Sequence, residues 1–279
     1  EREVSFSPDG RSLVYSSERN GCWQIYQAKL KNATDNNFTY ASDIEEEQIV
    51  ETGITSQYPQ FSPDGKEVAF FEDRSTLRIV NLKSKAIRTV LDGKYVYSYS
   101  DGDIWFEWSP DSKWLLSCYL GNGGWNNQDI ALVKADGKEV HNLTNSGYTD
   151  GNGKWVLDGK AMLFESDRAG YRSHGSWGAE DDAYLMFFDL DAYNRYNMSK
   201  EEIEVAEASK DEKEKIQDEK EEEAQKKAEE KQKKTGKIKV EKVKPLELDI
   251  ENCRDRIVRL TANSSRMGDA VLNKEGDKL

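Results

Sequence analysis

The sequence is nearly without histidine: His141 and His174 are the only two in 279 residues. That scarcity all but removes a His-based metal site. Cysteine is as sparse. Cys22, Cys118 and Cys253 are odd in number and widely spaced, with no CxxC. This argues against a disulfide framework or a zinc site and leaves buried or half-buried thiols. No apolar run approaches the roughly 18 residues of a membrane-spanning helix. Positive charge is in deficit, with 40 Lys and Arg against 53 Asp and Glu, a formal net charge of −13. Such a chain lacks the basic footprint that a phosphate backbone requires, so nucleic acid is not expected as a partner. Residue 1 is Glu, not Met, and no signal peptide is visible, so the start is expected to be missing or removed.

Catalytic signatures are missing too. There is no GxSxG elbow, no HExxH, no P-loop and no GxGxxG after a strand. His174, in "YRSHGSWGAEDD", could enter a Ser-His-Asp triad only through distant residues, and no nucleophile signature accompanies it. His141 falls on a predicted outer strand. "DGNGKWVLD" (150–158) lacks the Gly and Glu that a calcium loop places at its sixth and twelfth positions. The N-x-[ST] triplets at Asn32, Asn37, Asn142, Asn197 and Asn263 are too cheap a pattern to read as glycosylated. No catalytic, cofactor-binding or metal-ligating residue is therefore assigned, and no cofactor is expected.

What the sequence does have is one phrase repeated. "FSPDGR" stands at 6–11, "FSPDGK" returns at 61–66, "WSPDSK" at 108–113 and "VLDGK" at 156–160. Counted from Ser7, Ser62 and Ser109, and from Asp111 to Asp158, the steps are 55, 47 and 47 residues. A period in this range is the mark of a propeller or a related array. The turn residues are Pro8, Asp9 and Gly10; Pro63, Asp64 and Gly65; Pro110 and Asp111; Asp158 and Gly159. Pro presets φ, Asp bonds back to its own backbone and Gly accepts a positive φ. A short aromatic or β-branched run precedes each turn. A strand follows it: "SLVYSS", "EVAFFE", "WLLSCY", "AMLFES". A third strand comes next, as in "WQIYQAKL" and "DIALVKA", and then a fourth, as in "IRTVL" and "RIVRLT". Four strands per unit predict an all-β chain, a β-propeller of four-stranded antiparallel blades. The expected blades are 1–52, 53–98, 99–145 and 146–262, with the start of a further blade at 263–279. The whole reads as one propeller domain of a longer chain.

Three further features stand out. "SSERNG", "FEDRST" and "ESDRAG" end the second strands with an acid followed by Arg19, Arg74 or Arg168, read as a local ion pair holding the hairpin. The last blade is interrupted at about 199–240 by a Lys/Glu-rich stretch. Ser199 and Glu202 form a capping box there, and Gly236 is a plausible stop, which predicts a long solvated helix. Residues 200–244 carry 14 Lys and 15 acids, so nearly all the negative charge belongs to the propeller itself. The hairpin loops "NGGWNNQD" (122–129) and "YRSHGSWGAEDD" (171–182) occupy the same place on adjacent blades. Trp125, Asn126, His174 and Trp177 are their candidate recognition residues.

The "FSPDGK" blades over residues 3–170 resemble the TolB-type propeller repeat. The stretch from "NLTNSGYTDGNGKWVLDGKAMLFESDRAGYRSHGSWGAEDDAYLMFFDLDAYNRYNMSKEE" through the charged arm to "DRIVRLTANSS" is similar to the amino-terminal propeller of bacterial tricorn-type serine proteases, especially those of the Bacteroides group. That resemblance implies a large peptidase whose catalytic Ser and His lie in a later region, so none maps onto this chain. It implies a propeller that gates or guides a peptide or unfolded polypeptide toward the remaining domains of the parent protease. An exported, periplasmic location is favoured, and self-association is left open. Two alternatives stay in play, a stand-alone TolB-like scaffold and the propeller cap of a prolyl-oligopeptidase-like hydrolase.

Overall fold

A computed structural model describes residues 1–122, 124–172, 178–208, 243–274 and 276–279. Its strands form four sheets, each a four-stranded antiparallel meander taken in chain order. The first sheet contains β1 (Arg2–Phe6), β2 (Ser12–Ser17), β3 (Gln24–Leu30) and β4 (Ile44–Gln48). The second contains β5 (Ser56–Phe61), β6 (Glu67–Glu72), β7 (Thr76–Asn81) and β8 (Ile87–Leu91). The third contains β9 (Phe106–Trp108), β10 (Trp114–Tyr119), β11 (Asp129–Lys134) and β12 (Val140–Asn142). The fourth contains β13 (Asp150–Val156), β14 (Ala161–Ser166), β15 (Asp182–Phe187) and β16 (Ile257–Arg259). This is the predicted all-β, four-blade architecture.

The sheets stack face to face, and the central strands show why. On β6, Val68 and Phe70 pack against Val14 and Ile25 of the first sheet. Their neighbours Ala69 and Phe71 point the other way, into a core with Phe106, Leu115 and Val133 of the third. The third sheet turns Leu116, Ile130 and Leu132 toward Met162, Phe164 and Met186 of the fourth. Strands buried on both faces read as near-continuous apolar runs rather than clean alternation. The first strands of successive sheets lie beside one another, β1 against β5 and β9 against β13. The free face of the fourth sheet, with Leu163, Leu185 and Phe187, is covered by Ala192 and Tyr193 of α1 (Leu190–Tyr196) and by Met267, Ala270 and Leu272. On the free face of the first sheet Tyr15 and Tyr26 stack at 5.9 Å, and the Arg19 guanidinium lies 4.4 Å from the Tyr26 ring.

The repeated turn is closed by its own side chains. Ser7 N donates to Ser12 O and Gly10 N to Ser7 O, each at 2.8 Å. The Ser7 hydroxyl donates to Asp9 Oδ1 at 2.6 Å and accepts from Ser12 N at 2.8 Å. Ser62–Asp64 and Ser109–Asp111 repeat the pattern, both at 2.7 Å. Neighbouring turns also touch. A Cβ on Gly65 would sit 3.5 Å from Pro8 Cδ. Ser112, which stands where the other copies have Gly, holds φ at 61° and accepts Asp64 N on its hydroxyl at 3.0 Å.

The fourth copy is built differently. Leu157, Asp158 and Gly159 all have positive φ, and a Cβ on Gly159 would come within 2.6 Å of Leu246. Leu246 N in turn donates to Asp111 Oδ2 at 2.8 Å, so the segment returning from the charged insertion is fastened across two turns. Beyond β16 no further strand is assigned among the described residues, but Asn273 N donates to Lys278 O and Gly276 N to Asn273 O, both at 3.0 Å. That is the same turn once more, with Asn in place of Ser.

The insertion opens as the capping box specifies. Ser199 N donates to Glu202 Oε2 at 2.7 Å and Glu202 N to Ser199 Oγ at 3.2 Å, starting α2 (Lys200–Ala208). The rest of the predicted arm, Gly236 included, lies outside the described residues. The short helix α1 has no counterpart in the sequence reading; Asp189 caps it by accepting Ala192 N at 2.6 Å.

Candidate functional site

The two candidate recognition loops lie at one end of neighbouring sheets and are tied together. Arg172, before β15, donates to Asp167 Oδ2 at 2.9 Å, to Gly147 O at 3.2 Å and to Asn127 Oδ1 of the preceding sheet's loop at 2.5 Å. Trp125 is exposed, its ring 6.0 Å from that of Tyr97. The Asn126 carbonyl accepts the Thr149 hydroxyl at 3.1 Å. His174 and Trp177 lie outside the described residues.

The acid-Arg pairs differ from the sequence reading. Each Arg is bound, but not to the acid before it. Arg19 reaches Glu1 at 3.0 Å and Glu46 at 3.2 Å. Arg74 reaches Asp101 at 2.8 Å, and Arg168 reaches the fully buried Asp150 at 2.7 Å. Glu1 and Asp150 lie at equivalent points of the repeat, where the first strand begins. In the first and fourth sheets the Arg therefore ties the end of the second strand to the start of the first, and in the second sheet it reaches Asp101 in the chain leading to the third.

Buried acids at this same end are structural. Asp129 is inaccessible to solvent and accepts Asn142 Nδ2 at 2.7 Å, Thr144 Oγ1 at 3.1 Å and Ser146 N at 2.8 Å. Asp182 repeats the device with Arg259, Thr261 and Ser264. Burial works to raise the Asp182 carboxyl, but those three donors together hold it below its ordinary range. Each clamp ties the start of a third strand to the chain leaving the fourth.

The sequence reading missed the residues on the first strands. Glu3, Tyr58 and Asn152 sit in β-bulges with φ of 59°, 59° and 52°. Bulges with left-handed residues re-aim a side chain and are concentrated near functional sites. With Trp105 these positions fall at steps of 55, 47 and 47, the spacing of the turns. The next level is Ser5, Gln60, Glu107 and Lys154, at the same steps. These levels connect neighbouring sheets. Glu3 accepts Tyr58 N at 2.8 Å, Ser5 Oγ accepts Phe61 N at 3.4 Å, and Glu107 accepts Trp155 N at 3.2 Å. The signal was available in the register of the repeat, but the residue types differ at every copy, so no phrase repeats.

Between β9 and β13 lies an open cleft of about 350 Å³, walled by Trp105, Phe106, Glu107, Asn152, Lys154 and Asp269. Gly153 lets β13 approach the aromatic wall, since a Cβ there would lie 3.0 Å from Trp105 Cη2. Burial pushes the Glu107 carboxyl up to about 7, against the Trp155 hydrogen bond and the attraction of Lys154. Behind Asn152 lies Glu165, which is 9% exposed and accepts Asn152 Nδ2 at 2.7 Å through one oxygen only. Burial raises it as well, aided by Asp181 and Asp269 and opposed by the Asn152 bond. Lys154 is committed to Asp269 and to the Ala270 carbonyl. The cleft is thus aromatic on one side and short of positive charge on the other. Among the described residues no group of three or more His, Cys, Asp or Glu converges as metal ligands.

No family model matches the chain. The Tol-Pal system protein TolB of Francisella tularensis is 33% identical over 91 residues, 31% of this chain and 18% of that protein. Among solved structures, the tricorn protease superposes with a TM-score of 0.55 at 10% identity, covering 94% of this chain and 21% of the other. The β-propeller domain of the Trilobed protease from Pyrococcus furiosus gives a TM-score of 0.43 at 18% identity, over 67% of this chain and 54% of that one. The chain spans about a fifth of the length of the TolB relatives and of the tricorn chain. Its fold is a β-propeller of four-stranded blades, shared with a part of the tricorn protease chain, and 91 residues of it are similar to TolB.

Proposed function

We propose that this segment is a non-catalytic propeller that guides polypeptide toward a serine-protease centre carried elsewhere in a tricorn-like protein. The observation that carries the reading is the superposition on tricorn, which runs through 94% of this chain. The cleft supports it, because an aromatic wall beside Glu107, a carboxylate with no ion pair among the described residues, suits an extended peptide better than a compact solute. The test is site-specific cross-linking in the full-length protein. A photoreactive residue at Asn152 should capture a labelled unfolded polypeptide, and the same residue at exposed Tyr40 should not. Equal capture at both sites, or a full-length protein without peptidase activity, refutes the guiding role.

A second reading has its own support. The identity to TolB over 91 residues favours a stand-alone TolB-like scaffold propeller. The sequence of the full-length protein discriminates: a peptidase region beyond the propeller supports guidance, and a stop after ring closure supports the scaffold.

A further inference from the structure

Glu107 is the unusual group in the cleft. It lies on β9, the first strand of the third sheet, and its one hydrogen-bond partner among the described residues is the Trp155 amide at 3.2 Å. It makes no ion pair among the described residues, although it lines an open cleft. The charged groups facing it are few. Lys154 comes from β13 and Asp269 from the 267–272 segment, and these two pair with each other. Glu165 comes from β14, behind Asn152, and leaves one oxygen without a partner. On β10 the residue opposite Glu107 is Leu116, which is apolar. Three carboxylates therefore share one ammonium. Partly buried carboxylates without a cation are costly, and the local deficit is one that a ligand cation would relieve. Trp105 adds an indole face for an aliphatic or guanidinium group.

We propose that the cleft between β9 and β13 is a subsite for the lysine or arginine side chain of an extended polypeptide, with Glu107 as its counter-ion and Trp105 as its wall. The proposal rests on the guiding role above and gives it a preference: basic residues pause at this level. Because the Glu107 carboxyl titrates near neutrality, the preference strengthens as pH rises through about 7.

The test uses the full-length protein and capped, fluorescent Gly-Arg-Gly and Gly-citrulline-Gly peptides, which share shape and differ in charge. Anisotropy titration at pH 8 should show the arginine peptide bound about tenfold more tightly. That ratio should shrink toward unity at pH 5.5. Glu107→Gln should abolish the ratio at pH 8 and leave the citrulline peptide's affinity unchanged. Equal binding of the two peptides by the unaltered protein, or an unchanged ratio in Glu107→Gln, overturns the subsite while leaving guidance intact. Binding of neither peptide at millimolar concentration overturns both. The pH dependence of the unaltered protein is read without any variant, so a misfolded Glu107→Gln does not protect the proposal.

Discussion

Phe70 and Phe71 are adjacent on β6, and each is essentially inaccessible to solvent. In a sheet with one wet face, one of the two would be exposed. Here Phe70 lies in the core shared with the first sheet, while Phe71 packs edge-on against Phe106 of the third, ring centroids 5.4 Å apart. Truncating a buried Phe to Ala costs roughly 3–5 kcal/mol, a large part of the about 5–15 kcal/mol that keeps a domain folded. Leucine is the gentler probe. Either Phe→Leu change should cost about 1–2 kcal/mol from lost volume and contact. Phe71→Leu should cost up to about 1 kcal/mol more, because it also breaks an aromatic pair. The two side chains enter different cores, so the double variant should cost roughly the sum of the two single losses. Urea unfolding followed by far-UV circular dichroism and tryptophan emission measures all three. A loss below about 0.5 kcal/mol for either single variant, the usual size of a surface change, would refute the face-to-face stack.

Other expectations follow from single contacts. Gly170→Ala should destabilise the hairpin between β14 and β15 severely, because its Cβ would fall 1.9 Å from the Glu180 carbonyl oxygen; an unchanged melting temperature contradicts this. Ser112→Ala should cost about 1 kcal/mol or more, since it keeps a left-handed φ and removes the acceptor of Asp64 N, whereas Ser112→Gly should recover part of that loss by relieving the backbone. The two raised and lowered carboxyls predict opposite pH effects. Glu107 titrates higher folded than unfolded, so its burden on stability grows from about pH 4.5 to about 7, and Glu107→Gln should raise the melting temperature at pH 8 but hardly at pH 4. Asp182 titrates lower folded than unfolded, so its contribution is present above the unfolded value and fades as the solution is acidified below about pH 4; Asp182→Asn should flatten that acid limb.

Much of this molecule follows from its one repeated phrase. Ser-Pro-Asp-Gly contains every group its turn needs: a hydroxyl for the Asp carboxylate, a fixed φ, and a residue that tolerates the left-handed region. Such local hydrogen bonds close within a few residues, so the chain alone dictates them. The period and the apolar runs after each turn then dictate a stack of meanders, because a sheet apolar on both faces has no stable place except between two others. The capping box at Ser199 was legible for the same local reason. The site was not. Which acid each Arg meets, which residue of a first strand a bulge turns aside, and that Glu107 loses water without gaining a cation all depend on where the next sheet sits. Neighbouring blades come from positions about 47 residues apart, and their approach sets burial, field and hydrogen-bond supply. No stretch of sequence states those quantities; only the packing of one blade on another does.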